Sequence, residues 1–257
     1  MNLLRIELRK ILPYRTFWAI TGIYVLLLLL IVYASSNVVI NGSTTGATTY
    51  QFPDIWGRLT YIASYFNLLL GILIIVLVTD EYSFRTFRQQ VIDGLSRLEL
   101  ITAKFYLILG LATCSTLFLL GVGLYFGLMF STVTSAQAVL SEIDNLVYFF
   151  VQAVAYMTLA LFFAFLIRKS GLAIIAFIAY TKIVEPVIHY NLDDNLDQYF
   201  PMKVLSSLTP TPVQEIIDQL TTSKTILLSP QWAVLPAIGY IGLFFALTYF
   251  ILKLRDL

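Results

Sequence analysis

Five stretches of roughly twenty residues carry no charged side chain, and a run of that length is what an α-helix needs to cross the hydrocarbon core of a bilayer. They run from about Phe17 to Ala34, Thr60 to Thr79, Phe105 to Phe130, Leu146 to Ile167 and Trp232 to Leu252. A further stretch, Gly171 to Tyr190, is charge-free only as far as Thr181, after which come Lys182, Glu185 and Pro186. It is read as the fifth of six spans, because otherwise the last helix would end on the wrong side of the membrane. With 59% hydrophobic and only 12% charged residues, the 257-residue chain could not clothe a water-soluble core of this size. The expected fold is an all-α integral membrane protein with six transmembrane helices.

Arg5, Arg9, Lys10 and Arg15 ahead of the first span, and Ala34-Ser35-Ser36 after it, resemble a secretion signal, but the apolar core is too long for one. Orientation follows from lysine and arginine in the short loops. With the N-terminus inside, Arg5, Arg9, Lys10, Arg15, Arg85, Arg88, Arg97, Lys104, Arg168, Lys169, Lys253 and Arg255 fall on the cytoplasmic side, against Arg58, Lys203 and Lys224 outside. Both termini are therefore expected in the cytoplasm, the outer loops being acidic. A net charge of +1 with no clustered basic stripe argues against nucleic acid as a partner.

Residues 1–13 read as an amphipathic helix on the membrane surface: Leu3, Leu4, Leu8, Ile11 and Leu12 recur at helical spacing, Arg5, Arg9 and Lys10 anchor it, and Pro13 breaks it before the first span. The stretch from Asp80 to Lys104 is too long for a hairpin. Phe84, Phe87 and Val91 recur at helical spacing with Arg85, Arg88 and Gln89 facing away, Asp93-Gly94 ends that helix, and Ser96 with Glu99 forms a capping box that starts the next. Two aromatics offered to water on one short helix point to a partner surface rather than a solvated hairpin.

On these residues the chain resembles the permease subunits of type-2 ATP-binding-cassette transporters, in particular the short six-span bacterial kind, over essentially its whole length. The acidic residue after the second span, the following two-residue step, the small turn, the Ser-Arg pair and the lysine of the third span are matched by Glu81, Arg85-Thr86, Asp93-Gly94, Ser96-Arg97 and Lys104. The sequence departs from many relatives at Arg85, where they have Gly, and at Asp93-Gly94, where they have a Pro turn. The resemblance implies a single permease domain over residues 1–257, with residues 80–104 as the coupling segment and residues 191–231 as an external loop that caps the pathway. It further implies a second permease chain, identical or homologous, two cytoplasmic ATPase subunits that bind ATP and Mg, and a bacterial cytoplasmic membrane location. Glu81, Phe84, Arg85, Thr86, Phe87, Arg88, Asp93, Gly94, Ser96 and Arg97 would then meet the ATPase.

The chain itself has no G-x-x-x-x-G-K-[ST] phosphate loop, so no cofactor of its own is expected. Gly121, Gly123 and Gly127 in the third span read as packing positions that let helices approach, and Cys114 as a small packed apolar residue. Lys182 and Glu185, the ionisable residues inside a span, are expected on one helix face beside the Pro186 kink, lining a pathway or gate. A structural pair, or a helix that has already left the lipid by Lys182, is the competing reading. His189 has no second histidine to share a metal and reads as interfacial. Val213, Ile216, Ile217 and Leu220 suggest a short external helix from Pro212. An ion-driven secondary transporter and a nontransporting scaffold or sensor are the alternatives; buried charge on one helix is thin support for the first. An intramembrane metalloprotease is excluded by the single histidine.

Overall fold

The computed structural model describes residues 3–40, 43–44, 49–191, 194–212 and 227–255. Six helices among them are long and apolar enough to cross a membrane, as the hydropathy pattern predicts. An amphipathic helix α1 (Leu3–Ile11) precedes the first span, α2 (Arg15–Ser36), and the break falls at Pro13, which cannot continue a helix. A two-residue antiparallel pair, Val39–Ile40 with Ser43–Thr44, follows α2.

The second span, α3 (Ile55–Ser83), and the third, α5 (Arg97–Phe130), overrun their apolar stretches. At 1.5 Å per residue the 34 residues of α5 span about 51 Å, well beyond a hydrocarbon core of about 30 Å. The surplus lies mostly at the start of the helix, where the predicted capping box is present: the Ser96 side chain accepts from the Glu99 N–H and the Glu99 carboxylate from the Ser96 N–H. Between these two long helices sits α4 (Thr86–Ile92), ended by Gly94 at φ +97°, a conformation that glycine adopts without a Cβ penalty.

The fourth span, α7 (Asp144–Ile167), is the central post, in close contact with α3, α5 and the last span, α12 (Pro230–Leu254). Its small residues Ala153, Ala155, Ala160 and Ala164 are fully buried and admit its neighbours closely. The first and last spans lie at the periphery and bury only narrow stripes, Tyr24, Leu28 and Val32 on one, Ala233, Ala237, Phe244 and Thr248 on the other. Their outer faces expose large apolar side chains such as Leu26, Leu30, Trp232 and Leu235, which suits contact with lipid.

Gly123 and Gly127 do pack, but against aromatic rings rather than a helix backbone. A Cβ at Gly123 would collide with the buried Trp56 ring, and one at Gly127 with Phe52. Trp56 is held there by donating to the Val139 carbonyl at 2.9 Å from the short helix α6 (Ala136–Leu140). Gly121 has open space at its Cβ position. Cys114 is exposed on the outer side of α5 instead of packed, because the helix turns Ala112 and Ser115 inward.

The fifth span begins as α8 (Ser170–Ala179), widens into a π-turn over Tyr180–Val184, and continues as α9 (Glu185–Asn191), which holds His189. Helices α10 (Asp194–Asp197) and α11 (Pro201–Leu208) follow. The external helix expected from Pro212 lies, beyond that residue, outside the described residues. α1, α4 and the C-terminus of α12 share one end of the bundle, here the basal end; α6 and α11 lie toward the other, the distal end.

Candidate functional site

The basal end is organised by one buried lysine. Lys104, two turns into α5, is 2% exposed and sits with its Nζ 2.5 Å from Glu7 Oε2 of α1 and 2.6 Å from Glu81 Oε1 of α3. Lys10 approaches both carboxylates at 3.5 Å from the more open side. Two cations thus face two carboxylates, an arrangement that offsets the desolvation cost of each. Alongside, the Tyr14 hydroxyl donates to Asp80 Oδ2, and this bond holds the phenol protonated above its ordinary range. Three segments far apart in sequence, α1, the end of α3 and the start of α5, are in this way joined by charge.

The junction alters the expected reading of α1. Glu7 and Ile11 are the buried residues, whereas Leu8 and Leu12 are exposed on the outer side with Arg5 and Arg9. The helix therefore keeps an apolar edge for lipid but turns a carboxylate into the protein. Lys10, expected as a surface anchor, is instead a member of the ion-pair cluster.

α4 hangs from this junction. Phe87 is buried against Tyr82 and Phe165, with ring centroids 4.8 Å and 5.5 Å away, and its ring lies 5.5 Å from Lys104 Nζ. Thr86 Oγ1 donates to the Glu81 carbonyl at 3.1 Å. The expectation that both aromatics face water is thus half corrected: Phe87 is the root of the helix, and Phe84, 73% exposed, is offered outward with the equally exposed Ile92. Arg85, Arg88, Gln89 and Asp93 are exposed around them. Arg85 sits at φ 58°, ψ 22°, in the left-handed region, which glycine would adopt without a Cβ penalty. Arg97 is occupied elsewhere, donating to the Leu252 and Lys253 carbonyls at 2.8 and 2.6 Å and so capping the last helix. Arg255 does the same for α7 through the Leu166 carbonyl at 2.8 Å.

At the distal end the expected Lys182 and Glu185 pair is separated. The π-turn winds more residues per turn than an α-helix, so three positions no longer return to the same face. Lys182 is exposed, while Glu185 is fully buried and accepts from the Met202 N–H at the start of α11. α11 itself is drawn into the bundle, with Val204, Leu205, Ser207 and Leu208 buried. Gln152 of α7 holds it by donating to the Leu205 carbonyl at 2.7 Å and Thr209 Oγ1 at 2.8 Å, while accepting from Asn67 of α3 at 3.0 Å. A cavity of about 380 Å³ opens beside this amide relay, lined by Tyr61, Tyr65, Tyr156, Lys182, Pro186 and Lys203 among others.

Glu7, Asn67, Gln152 and α11 were not singled out in the sequence. Asn67 and Gln152 had a signal, two amides in the middle of charge-free runs; α11 had Pro201 at a helix start followed by Met202, Val204, Leu205 and Leu208 at helical spacing. Glu7 had none, since its partner lies 97 residues away.

A bundle of six membrane-crossing helices with a charge-locked N-terminal helix and a short protruding helix at the same end defines a multi-pass membrane subunit. The family model described as ABC-2 family transporter protein matches residues 3–183, and the chain belongs to that family: it is the membrane component of an ABC transporter, the kind that works with an ATP-binding subunit. The match takes in the basal junction and α4 and stops within the π-turn, short of α11 and the last span. No curated protein matches the chain.

Proposed function

We propose that this chain, paired with a second copy or a homologue, forms the pathway of an ATP-driven exporter in a bacterial cytoplasmic membrane, with both termini in the cytoplasm. Two copies of a separate ATPase subunit bind ATP and Mg and engage α4. The observation that carries the reading is the two-sidedness of α4 and the turn that leads into it: Phe84 and Arg85 in the turn and Arg88 and Ile92 on the helix are exposed, while Phe87 is locked to α3, α5 and α7. A force applied to the exposed side is delivered through Phe87 and the Lys104 cluster to three helices at once. Closure of the ATPase pair on ATP would press α4 and rock the bundle between inward-open and outward-open states. Asp93, Gly94 and Ser96 set the angle at which α4 leaves α5, and Arg5 and Arg9 hold α1 at the lipid surface.

At the distal end Lys182 and Pro186 line the pathway, and Glu185 shapes its gate from behind by fixing the start of α11. Purification in mild detergent should recover the ATPase subunit with the wild-type chain. The Phe84→Glu and Arg88→Ala double variant should lose it by at least about tenfold, the effect of removing a central interface contact. Equal recovery with both chains would refute α4 as the docking element.

A further inference from the structure

The distal cavity has an electrostatic asymmetry that the pathway reading alone does not explain. Both of the charged side chains among its described lining are lysines, Lys182 and Lys203. Lys203 is paired with Asp197 at 2.7 Å. Lys182 is exposed to the cavity and, among the described residues, makes no ion pair. The carboxylate that sequence spacing would set beside it, Glu185, is fully buried and held away by the Met202 N–H. The π-turn thus separates the two charges, leaving the cation in the open space and the anion out of it.

A lone ammonium within the outer turns of a span is unfavourable unless water or an anion meets it. The rest of the lining is suited to supply hydrogen bonds to such an anion. Tyr61 and Tyr65 are linked hydroxyl to hydroxyl at 2.6 Å and keep one proton to donate, and Thr209, whose oxygen accepts from Gln152, keeps its own, whereas the Ser64 and Ser206 hydroxyls are spent on the Tyr61 and Lys203 carbonyls. A volume of about 380 Å³ accepts a small polar group and not a folded peptide. Next to Lys182 and Pro186 in the chain, Ile183 and Val187 are exposed apolar side chains.

We infer that this cavity binds a phosphate group, received by Lys182 and the surrounding hydroxyls, either as the headgroup of an anionic amphiphile or as free phosphate. Phosphate is favoured because it combines negative charge with several acceptor oxygens, matching a site that offers one lysine unpaired among the described residues beside hydroxyl donors from Thr209 and the Tyr61–Tyr65 pair. The inference rests on the reading of this cavity as part of the pathway, and names what that pathway accommodates.

The test uses the full chain with its ATPase subunit in nanodiscs of phosphatidylcholine containing phosphatidylglycerol, the lipids retained being counted by native mass spectrometry. Inorganic phosphate is then titrated and followed by phosphorus NMR line broadening. Wild type should retain phosphatidylglycerol over phosphatidylcholine or bind inorganic phosphate; Lys182→Gln should weaken that binding about tenfold, as expected for loss of one charge-assisted contact. Lys182→Arg should preserve it, which separates a binding role from a folding defect. Lipid retention unaffected by inorganic phosphate identifies the headgroup as the source; phosphate binding without lipid preference identifies the free anion. Wild type and Lys182→Gln indistinguishable in both arms overturns the inference. Failure of the ATPase to co-purify, with the phosphate preference intact, would instead overturn the exporter reading and leave the site standing.

Discussion

Replacing Lys104 with methionine tests the basal junction most directly. The side chain is 2% exposed and its Nζ lies 2.5 and 2.6 Å from two carboxylates, one of which, Glu7, is itself almost wholly buried. Methionine keeps the length of the stem and removes the charge. Two carboxylates would then share a pocket with Lys10 alone, which is 3.5 Å from each and one-third exposed, so that it is partly screened by solvent. Breaking a buried pair from one side costs about 3–5 kcal/mol, because the remaining charge is stranded. The exposed Lys10 can recover only a fraction of this. The variant should lose thermal stability accordingly, read by Trp fluorescence or by size-exclusion recovery after heating, and amide exchange should rise across α1 first. Adding Glu7→Gln and Glu81→Gln to Lys104→Met should restore most of the loss, since the one charge left, Lys10, is one-third exposed and can be solvated. A change below about 1 kcal/mol for the single variant, the range of a surface pair, would refute the view that α1 is held by buried charge.

Other positions give independent checks. Gly123→Ala and Gly127→Ala should each destabilise the bundle by about 1–3 kcal/mol in thermal melts, because the new methyl groups meet the Trp56 and Phe52 rings; Gly121→Ala, with open space around it, should be neutral. Arg85→Gly should stabilise α4 by about 1 kcal/mol relative to Arg85→Ala, seen as slower amide exchange over 86–92, because only glycine adopts φ 58° without cost. Gln152→Leu should strand the Asn67 amide and the Leu205 carbonyl, costing about 1–3 kcal/mol and raising amide exchange in α11 before the spans are affected.

The spans were legible because a bilayer demands apolar length, and length is written continuously along the chain. The capping box at Ser96 and the turn at Gly94 were legible for the same reason: each is settled within a few residues. The features that position the candidate sites depend on distant parts of the chain. Glu7 is buried only because Lys104 stands opposite it, and periodicity alone assigned α1 to lipid through Leu8 and Leu12. Phe87 repeats with Phe84 at helical spacing, yet Tyr82 and Phe165 take it inward and leave Phe84 outside. Lys182 and Glu185 were placed together by assuming α-helical phase where the chain adopts a wider turn.

That wider turn is equivalent to one extra residue spliced into an α-helix. Were Thr181 deleted and the segment to run on as a regular α-helix, Lys182 and Glu185 would lie only roughly 60° apart around the axis, at 100° per residue. The lysine could then reach the cavity only by bringing the glutamate with it, and α11 would lose the carboxylate that receives the Met202 N–H. The placement of the lysine away from the glutamate and the seating of α11 are therefore set by the same single-residue register, and a frame-preserving deletion of one codon would cancel both.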